Sequence, residues 1–334
     1  MNPTVLKPRS LGTTGVKVSG IGLGMMSMGH AYGRADDEES VATLERALEL
    51  GVNFFDTADF YGVGHSEEIL KRVVGNHRRE ELFISVKVGP MVLPGGGFSR
   101  PNGDPDYIKN VLAYDLARIG VDYIDLYFPS RVDDRVPIEA QMEALVEMNE
   151  RGFIRHIGLS EASAATVRRA HAVHPIAAVQ TEYSLWSRDP EDELLPTMRE
   201  LGIALVGYAP LSRGFLSGKV RSNEGFDRRD IRNHSPRFQS ENFEANRRLV
   251  DALGEIASKK GCTTAQLAIA WVMAQGDDVV ALVGTKSRAR LEENAGAASV
   301  ELTKEELRKI EEAVPRGAVA GDRYPPGGMK IVDR

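Results

Sequence analysis

The chain has 334 residues, of which 42% are hydrophobic and 27% are charged. This composition is typical of a globular protein with a full core, and the length suits either two average domains or one α/β barrel. The net charge of -6 gives no reason to expect a nucleic-acid or membrane-surface partner. A single cysteine, Cys262, excludes an internal disulfide framework, and we find neither a signal peptide nor a long apolar span. We therefore expect a cytoplasmic protein.

The chain opens with a predicted β-hairpin, formed by residues 9–12 and 16–19 around a turn at 13–15. After it, short apolar runs alternate with longer segments that carry the periodicity of helices. The predicted strands cover residues 21–24, 54–56, 82–87, 123–127, 153–160, 177–180, 204–208 and 279–283. The predicted helices cover residues 36–48, 66–74, 105–119, 138–151, 162–173, 193–201, 242–260, 264–274, 287–297 and 303–314.

Eight short apolar strands separated by helices predict a closed (β/α)8 TIM barrel, because strands buried on both faces are typical of parallel sheets. We expect one domain over residues 1–334, with the hairpin at its N-terminus and long loops at the C-terminal face of the barrel. The long loops cover residues 89–104 and 212–241, and a Pro/Gly-rich tail covers 315–334. Loops of this length without secondary-structure signals are usually functional or disordered.

The run Gly20-Ile21-Gly22-Leu23-Gly24 is the one feature that suggests a different fold. Its glycine spacing is similar to that of a dinucleotide-binding loop, which would belong to a doubly wound sheet. That fingerprint requires a helix immediately after the glycines, and residues 25–32 intervene here. The run therefore favours a barrel strand over a Rossmann turn.

Three polar residues at consecutive strand ends predict a proton-donating site. Asp56 ends the strand 54–56, Tyr61 follows in the next turn, and Lys87 ends the following strand. A carboxylate placed near a core must be paired, so we expect Asp56 to keep Lys87 charged. A phenol with a pKa near ~10 becomes a useful acid at neutral pH beside a cation, so we expect Lys87 to lower the pKa of Tyr61. A structural ion pair beneath a loop is the alternative interpretation.

Several motifs, in order along nearly the whole chain, resemble those of the aldo-keto reductase superfamily. They are Asp56-Thr57-Ala58-Asp59-Phe60-Tyr61-Gly62, Asp125-Leu126-Tyr127, Gly158-Leu159-Ser160-Glu161, Gln180-Thr181-Glu182-Tyr183, Tyr208-Ala209-Pro210-Leu211-Ser212-Arg213-Gly214, and Gly284-Thr285-Lys286-Ser287 with Arg290 to Asn294. The resemblance implies an oxidoreductase that binds NADPH without a Rossmann domain and reduces a small aldehyde or ketone. In this comparison Tyr61 would donate the proton, Lys87 would lower its pKa, and Asp56 would orient Lys87.

The resemblance also implies a cofactor-binding set. Ser160 and Gln180 would bind the nicotinamide carboxamide, and Tyr208 would stack on the nicotinamide ring. The other implied contacts are Pro210, Leu211, Arg213, Gly214, Gly284, Lys286, Ser287, Arg290, Glu293 and Asn294. Lys286, Ser287 and Arg290 suit a 2'-phosphate because two cations and a hydroxyl at a helix N-terminus bind a dianion well, and Glu293 and Asn294 would face the adenine. We predict no metal site.

One departure concerns the fourth catalytic residue. The family pattern is Asp-Leu-Tyr-x-x-His-Arg, and Ser130 occupies the place of the histidine. Serine neither titrates near neutral pH nor spans the same distance. Three hypotheses stay open: slower or altered carbonyl reduction, a water held by Ser130, and a bulkier substrate. His65, close to Tyr61, either replaces the imidazole or is a surface residue at a helix start that Ser66 to Glu68 cap.

Three functions compete at this point. The leading one is NADPH-dependent carbonyl reduction. A nucleotide-binding sensor or regulatory protein is the second, and the loss of the histidine favours it while the intact Asp56, Tyr61 and Lys87 oppose it. An alcohol or sugar dehydrogenase, or a reductase of conjugated double bonds, is the third. The basic run at 228–232 is either a solvated loop or a segment that closes over cofactor phosphates. The sequence leaves the oligomeric state open.

Overall fold

The computed structural model describes residues 6–94 and 97–333. Eight parallel strands form a closed barrel in which each strand pairs with its neighbours along the chain and the last pairs with the first. The barrel strands are β1 (Ile21–Gly24), β2 (Phe54–Ala58), β3 (Phe83–Val88), β4 (Ile124–Pro129), β5 (Ile154–Ser160), β6 (Ala178–Glu182), β7 (Ala204–Tyr208) and β8 (Val279–Gly284). The predicted (β/α)8 barrel is confirmed, and the run at 20–24 forms a barrel strand.

Helices follow the strands as predicted, with two of them between β7 and β8. They are α1 (Asp37–Glu49), α2 (His65–Val74), α3 (Pro105–Ile119), α4 (Ile138–Glu150), α5 (Ala164–Val173), α6 (Leu194–Leu201), α7 (Ser240–Lys260), α8 (Thr264–Met273), α9 (Arg288–Ala295), α10 (Lys304–Ala313) and α11 (Pro326–Met329). Within the described residues, none of them combines the length and the apolar character that a bilayer crossing requires.

Side chains cap the starts of some of these helices and not of others. The Asp36 side chain caps α1, and Thr263 caps α8 in a reciprocal capping box. The predicted cap of α2 by Ser66 to Glu68 is wrong. Gly64, with a φ of 87°, is the residue at that N-cap, and it provides no side-chain cap. Ser66 and Glu67 face inward instead, and both are fully buried.

The N-terminal hairpin closes one end of the barrel. Its two strands, Pro8–Ser10 and Lys17–Ser19, pair antiparallel as predicted. Leu11 and Val18 from this hairpin pack with Phe54, Phe128 and other side chains of the barrel interior. Because the hairpin fills the N-terminal end, the opposite end, where the strands terminate, is the open mouth. In barrels of this type the chemistry is found at that end.

Two of the predicted loops contain regular structure. Residues 89–104 include an antiparallel pair of strands, Pro90–Val92 and Phe98–Pro101, which we call the rim hairpin. Its prolines and glycines conceal the strand signal in the sequence. The predicted long loop at 212–241 likewise contains short 3-10 helices. The 3-10 helices cover Arg79–Glu81, Asp189–Glu191, Ser212–Ser217, Ile231–His234, Pro236–Phe238 and Gly296–Ser299. Phe98 of the rim hairpin packs edge-on against Phe60, with 5.8 Å between ring centroids.

Candidate active site

Asp56 and Lys87 form a buried ion pair at the ends of β2 and β3. Their side chains are 2% and 4% exposed, and the Lys87 ammonium donates to Asp56 Oδ1 and, at 3.0 Å, to the carbonyl oxygen of Thr57. The second oxygen of Asp56 accepts from Ser85 Oγ at 2.7 Å and from Gln180 Nε2 at 2.8 Å. These three donors, Lys87, Ser85 and Gln180, compensate the desolvation of the carboxylate. Burial lowers the pKa of Lys87, and Asp56 opposes that shift.

Tyr61 lies directly above this pair. The Lys87 ammonium is 4.9 Å from the centroid of the Tyr61 ring, so the predicted convergence of the three side chains is present. In the ligand-free molecule burial raises the pKa of Tyr61 well above 10, and the charge of Asp56 adds to the increase. Of the groups that act on this phenol, the Arg131 guanidinium lowers its pKa. Burial and the Asp56 charge therefore favour the protonated phenol.

Ser130 and Arg131 follow β4 at the same mouth. The Ser130 backbone N–H donates to the carbonyl oxygen of Val88 at 2.6 Å, which ties this segment to the end of β3. Within residues 6–94 and 97–333 the Ser130 hydroxyl makes no hydrogen bond to another side chain, although the residue is buried. The neighbouring Arg131 side chain is 16% exposed and lies 3.6 Å from Glu161. The Arg131 guanidinium is therefore the side chain next in sequence to Ser130, the serine at the position of the family histidine.

The ends of β5, β6 and β7 carry the next group of predicted residues. Ser160 is buried, and its backbone pairs with that of Ser130 in a single parallel β-bridge. The Gln180 side-chain amide donates from Nε2 to Asp56 Oδ2, so in this structure Gln180 helps to hold the Asp56 carboxylate in place. The Tyr208 hydroxyl donates to Glu161 Oε1 at 2.9 Å and also bonds the hydroxyl of Tyr324.

The segment after β8 brings its predicted residues to the start of α9. Lys286 donates to three successive backbone carbonyls, those of residues 32–34, at 3.3, 3.0 and 2.6 Å. Burial lowers the pKa of Lys286; the charges of Asp230 and Asp227 oppose this shift, and those of Arg290 and Arg232 add to it. Ser287 is the N-cap of α9, where its side chain makes no capping bond. Arg290 is exposed and has no ion-pair partner in the described part of the chain.

The remaining positions of this segment differ in their surroundings. Gly284 ends β8 and is exposed, whereas Asn294 is buried in α9. Glu293 accepts from Lys219, which joins α9 to the segment that follows Ser212–Ser217. Of the basic run at 228–232, Arg232 pairs with Asp230 at 2.6 Å and covers the Phe226 ring at 4.1 Å.

The sequence matches the model of the Aldo/keto reductase family over residues 20–315. The chain belongs to this family. "Probable aldo-keto reductase 1" from Glycine max is 42% identical over 330 residues, which cover 98% of this chain and 94% of that protein. The solved glycerol dehydrogenase AKR11B4 from Gluconobacter oxydans has a TM-score of 0.83 and 28% identity, and covers 94% of this chain and 95% of its own. The holo form of aldo-keto reductase AKR11C1 from Bacillus halodurans has a TM-score of 0.77 and 27% identity, and the match covers 93% of this chain and 97% of that one.

Membership in the aldo/keto reductase family makes the protein an oxidoreductase of the general carbonyl-reducing kind. In this aldo/keto reductase four of the predicted cofactor contacts lie in the segment after β7, namely Pro210, Leu211, Arg213 and Gly214. Arg213 and Gly214 adopt left-handed backbone conformations inside Ser212–Ser217, with φ values of 57° and 92°. Arg213 donates to Ser235 Oγ at 2.9 Å and lies over the Tyr324 ring, 4.8 Å from its centroid.

Buried charges around the mouth do not balance. Four guanidinium groups lie near two buried carboxylates, an excess of two positive charges beyond the neutral Asp56–Lys87 pair. The arginines are Arg131, Arg213, Arg237 and Arg323, and the acids are Glu161 and Glu182. Burial alone would raise the pKa values of both acids, and these arginines hold them below their usual range. Arg237 and Arg323 are buried, whereas Arg131 and Arg213 are half-buried, and cations removed from water in this way are costly unless they are paired.

Two histidines occupy the loops near Tyr61. The rings of His30 and His65 stack with centroids 4.8 Å apart, and His65 Nε2 lies 3.0 Å from Asp37 Oδ1. His65 therefore interacts with the start of α1, and nothing in this geometry favours the hypothesis that it replaces the imidazole missing at Ser130. Its side chain is only 25% exposed, so it is not a plain surface residue.

Three further carboxylates lie beneath the catalytic loop. They are Asp59, Glu67 and Asp115, and each has one buried oxygen without a hydrogen-bond partner among the described residues. Burial, assisted by Glu67, raises the pKa of Asp59 to about 7, and burial also raises the pKa values of Glu67 and Asp115. Arg118 pairs with Glu67 and provides the nearest cation. This cluster therefore retains protons near neutral pH.

Sequence reasoning missed the contribution of the C-terminal tail to the mouth. Arg323 donates to Glu161 Oε2 at 2.6 Å, and this pair brings Tyr324 over the active face. The length of the tail at 315–334 signalled a functional or disordered segment, and no local motif indicated where it would lie. Glu161 stands where family enzymes often have asparagine, and its ion pair with a residue 162 positions later became visible only in the fold.

Proposed function

We propose that the protein is an NADPH-dependent reductase of aldehydes or ketones in which Tyr61 is the proton donor. The observation that carries this proposal is the buried Asp56–Lys87 pair directly beneath Tyr61 at the barrel mouth. Burying two charges costs several kcal/mol per ion, of order 5, before their attraction is counted. Such a pair is expected where a charge has a chemical task.

The residues around the mouth fit a dinucleotide phosphate. Arg213 lies at the strand end that the resemblance assigns to the cofactor, and its guanidinium suits the oxygens of a diphosphate. Lys286, Ser287 and Arg290 would hold a 2'-phosphate, which NADPH has and NADH lacks. Lys286 now donates to backbone carbonyls, and a phosphate would be a stronger acceptor for the same ammonium.

When bound, the reduced nicotinamide supplies the hydride that reaches the carbonyl carbon. The chain supplies the proton: Tyr61 donates its phenolic hydrogen to the carbonyl oxygen, which completes the alcohol. Lys87, held in place by Asp56 and by the Thr57 carbonyl, then stabilises the phenolate until solvent returns a proton. Positioned acid catalysis of this kind typically contributes a factor of about 10²–10⁴.

A turnover assay tests the proposal. The purified chain is incubated with NADPH or NADH and a panel of neutral aldehydes and ketones, and cofactor oxidation is followed by absorbance. We expect turnover with NADPH for at least one aldehyde and a higher kcat/KM with NADPH than with NADH. Cofactor binding without turnover across the panel contradicts the proposal and favours a nucleotide-binding sensor.

Alcohol oxidation is a second candidate because the solved neighbour at a TM-score of 0.83 is named a glycerol dehydrogenase. Rates with alcohols plus NADP, measured beside the reduction rates, distinguish the two directions. A faster oxidation at neutral pH would assign this chain to the dehydrogenase alternative. The single domain over residues 1–334 and the cytoplasmic location stay predictions.

A further inference from the structure

Arg131 occupies an unusual position for a buried cation. It directly follows Ser130 at the end of β4, and the Tyr324 ring covers it at 4.8 Å from the guanidinium carbon to the ring centroid. Its Nη1 atom is buried without a hydrogen-bond partner in the described ranges 6–94 and 97–333. A guanidinium offers five N–H donors in a planar fork, and an unused buried donor is a cost that a ligand can remove.

The nearest carboxylate does not satisfy this charge. Glu161 lies 3.6 Å from Arg131 but only 2.6 Å from Arg323, which therefore neutralises it first. The same carboxylate also accepts hydrogen bonds from Tyr208 at 2.9 Å and from Thr181 at 3.1 Å. Glu161 thus has little capacity left for Arg131, which shares this carboxylate with Arg323 and has no second acid within 4 Å among the described residues.

The barrel order separates Arg131 from the predicted phosphate sites. In the ring of eight strands β4 lies opposite β8, with three strands between them in either direction. Lys286 and Arg290 follow β8, whereas Arg131 follows β4, which pairs with β3, the strand of Lys87. Its charge also acts on the Tyr61 phenol. The guanidinium therefore lies on the side of the mouth where a substrate, and not the cofactor phosphates, meets Tyr61.

We propose that Arg131 is a specificity-determining residue that binds a carboxylate carried next to the reacting carbonyl, so that the substrates include 2-oxo acids. Guanidinium and carboxylate match as two parallel hydrogen bonds, which fixes the orientation of the neighbouring carbonyl. This contact would orient the substrate carbonyl, a role that the imidazole replaced by Ser130 would otherwise have. The inference rests on the proposed function, because it assigns the substrate class of that same reductase.

A matched pair of substrates tests this inference. Phenylglyoxylate and its methyl ester differ by the negative charge next to the ketone, and 4-nitrobenzaldehyde serves as a neutral reference. We expect the wild-type enzyme to prefer the acid over the ester in kcat/KM. Arg131→Gln should lower the acid-to-ester ratio by about 10- to 100-fold, the range expected when a hydrogen-bonded charge loses its partner. The change should appear mainly in KM for the acid.

Two further variants separate binding from structure. Arg131→Lys keeps the charge without the fork and should recover part of the acid-to-ester ratio. Arg78→Gln removes an exposed arginine that precedes β3 at the other end of the barrel, and it should leave the ratio at the wild-type value. A purely structural role for Arg131 would lower acid and ester rates equally, and that result would overturn the inference.

Measurements on the wild type keep the test decisive if Arg131→Gln fails to fold. Benzoate should inhibit reduction of 4-nitrobenzaldehyde competitively and at lower concentration than benzamide does. Equal inhibition by the two compounds, or a wild-type preference for the ester, refutes the assignment of Arg131. If 4-nitrobenzaldehyde and every other carbonyl give no turnover with NADPH, the proposed function itself has failed, which is a different outcome.

Discussion

Replacing Lys87 with methionine isolates the contribution of the buried ion pair. The two side chains are 4% and 2% exposed, so Lys87→Met leaves the Asp56 carboxylate in the core with only the uncharged donors of Ser85 and Gln180. Removing one partner of a buried pair typically destabilises a protein by about 3–5 kcal/mol. The double variant Asp56→Asn/Lys87→Met removes both charges, and we expect it to recover most of this loss.

Thermal unfolding followed by circular dichroism measures the effect. With about 2.1 cal/mol/K of unfolding entropy per residue over 334 residues, a loss of 3–5 kcal/mol lowers Tm by about 4–7 °C. Lys17→Met, at an exposed position in the N-terminal hairpin, is the matched control and should change Tm little. If Lys87→Met and the double variant unfold at the same temperature, Asp56 is not a buried charge that depends on Lys87, and the reasoning is refuted.

Three other predictions follow from neighbouring residues. Because burial raises the folded-state pKa of Asp59 from 3.8 to about 7, the wild type loses stability as the pH rises through this window. Asp59→Asn should therefore gain stability relative to the wild type as the pH rises. If the unfolding free energies from urea titrations have the same pH dependence in both proteins, this prediction is wrong. Lys286→Met should weaken NADPH binding about tenfold and NADH binding less, by fluorescence titration, whereas Arg288→Met, which removes a partner of Glu39, should spare the discrimination. A Cβ on Gly89 would overlap the backbone at the end of β4, so Gly89→Ala should lower the free energy of unfolding by roughly 1–3 kcal/mol. Gly75→Ala is the control, because a Cβ at Gly75 has room. Equal melting temperatures of the two variants would contradict this prediction.

The barrel and the convergence of Asp56, Tyr61 and Lys87 could be predicted because both depend on local patterns. Alternating apolar strands and amphipathic helices specify a (β/α)8 barrel, and the barrel then brings every strand end to one face. Asp56 and Lys87 lie on the adjacent strands β2 and β3, and Tyr61 lies in the turn after β2, so the sequence order alone places them together. The predicted convergence of these three side chains is present for that reason.

Contacts between distant segments could not be predicted in the same way. Tyr324 reaches Tyr208 because the Arg323–Glu161 pair directs the tail across the mouth, and no periodicity encodes that path. The rim hairpin was missed because its prolines and glycines resemble those of an irregular loop. The sequence assigned the lowering of the Tyr61 pKa to Lys87, whereas in the ligand-free fold burial raises this pKa and Arg131 opposes the shift.

Tyr61→Phe tests the central claim most directly, because it removes one oxygen from a ring that otherwise stays in place. The measurement is kcat/KM for reduction of a neutral aldehyde, beside the Kd for NADPH from fluorescence titration. We predict a loss in kcat/KM of about 10²–10⁴-fold, with NADPH binding close to that of the wild type. Retention of wild-type kcat/KM by this variant would contradict Tyr61 as the proton donor.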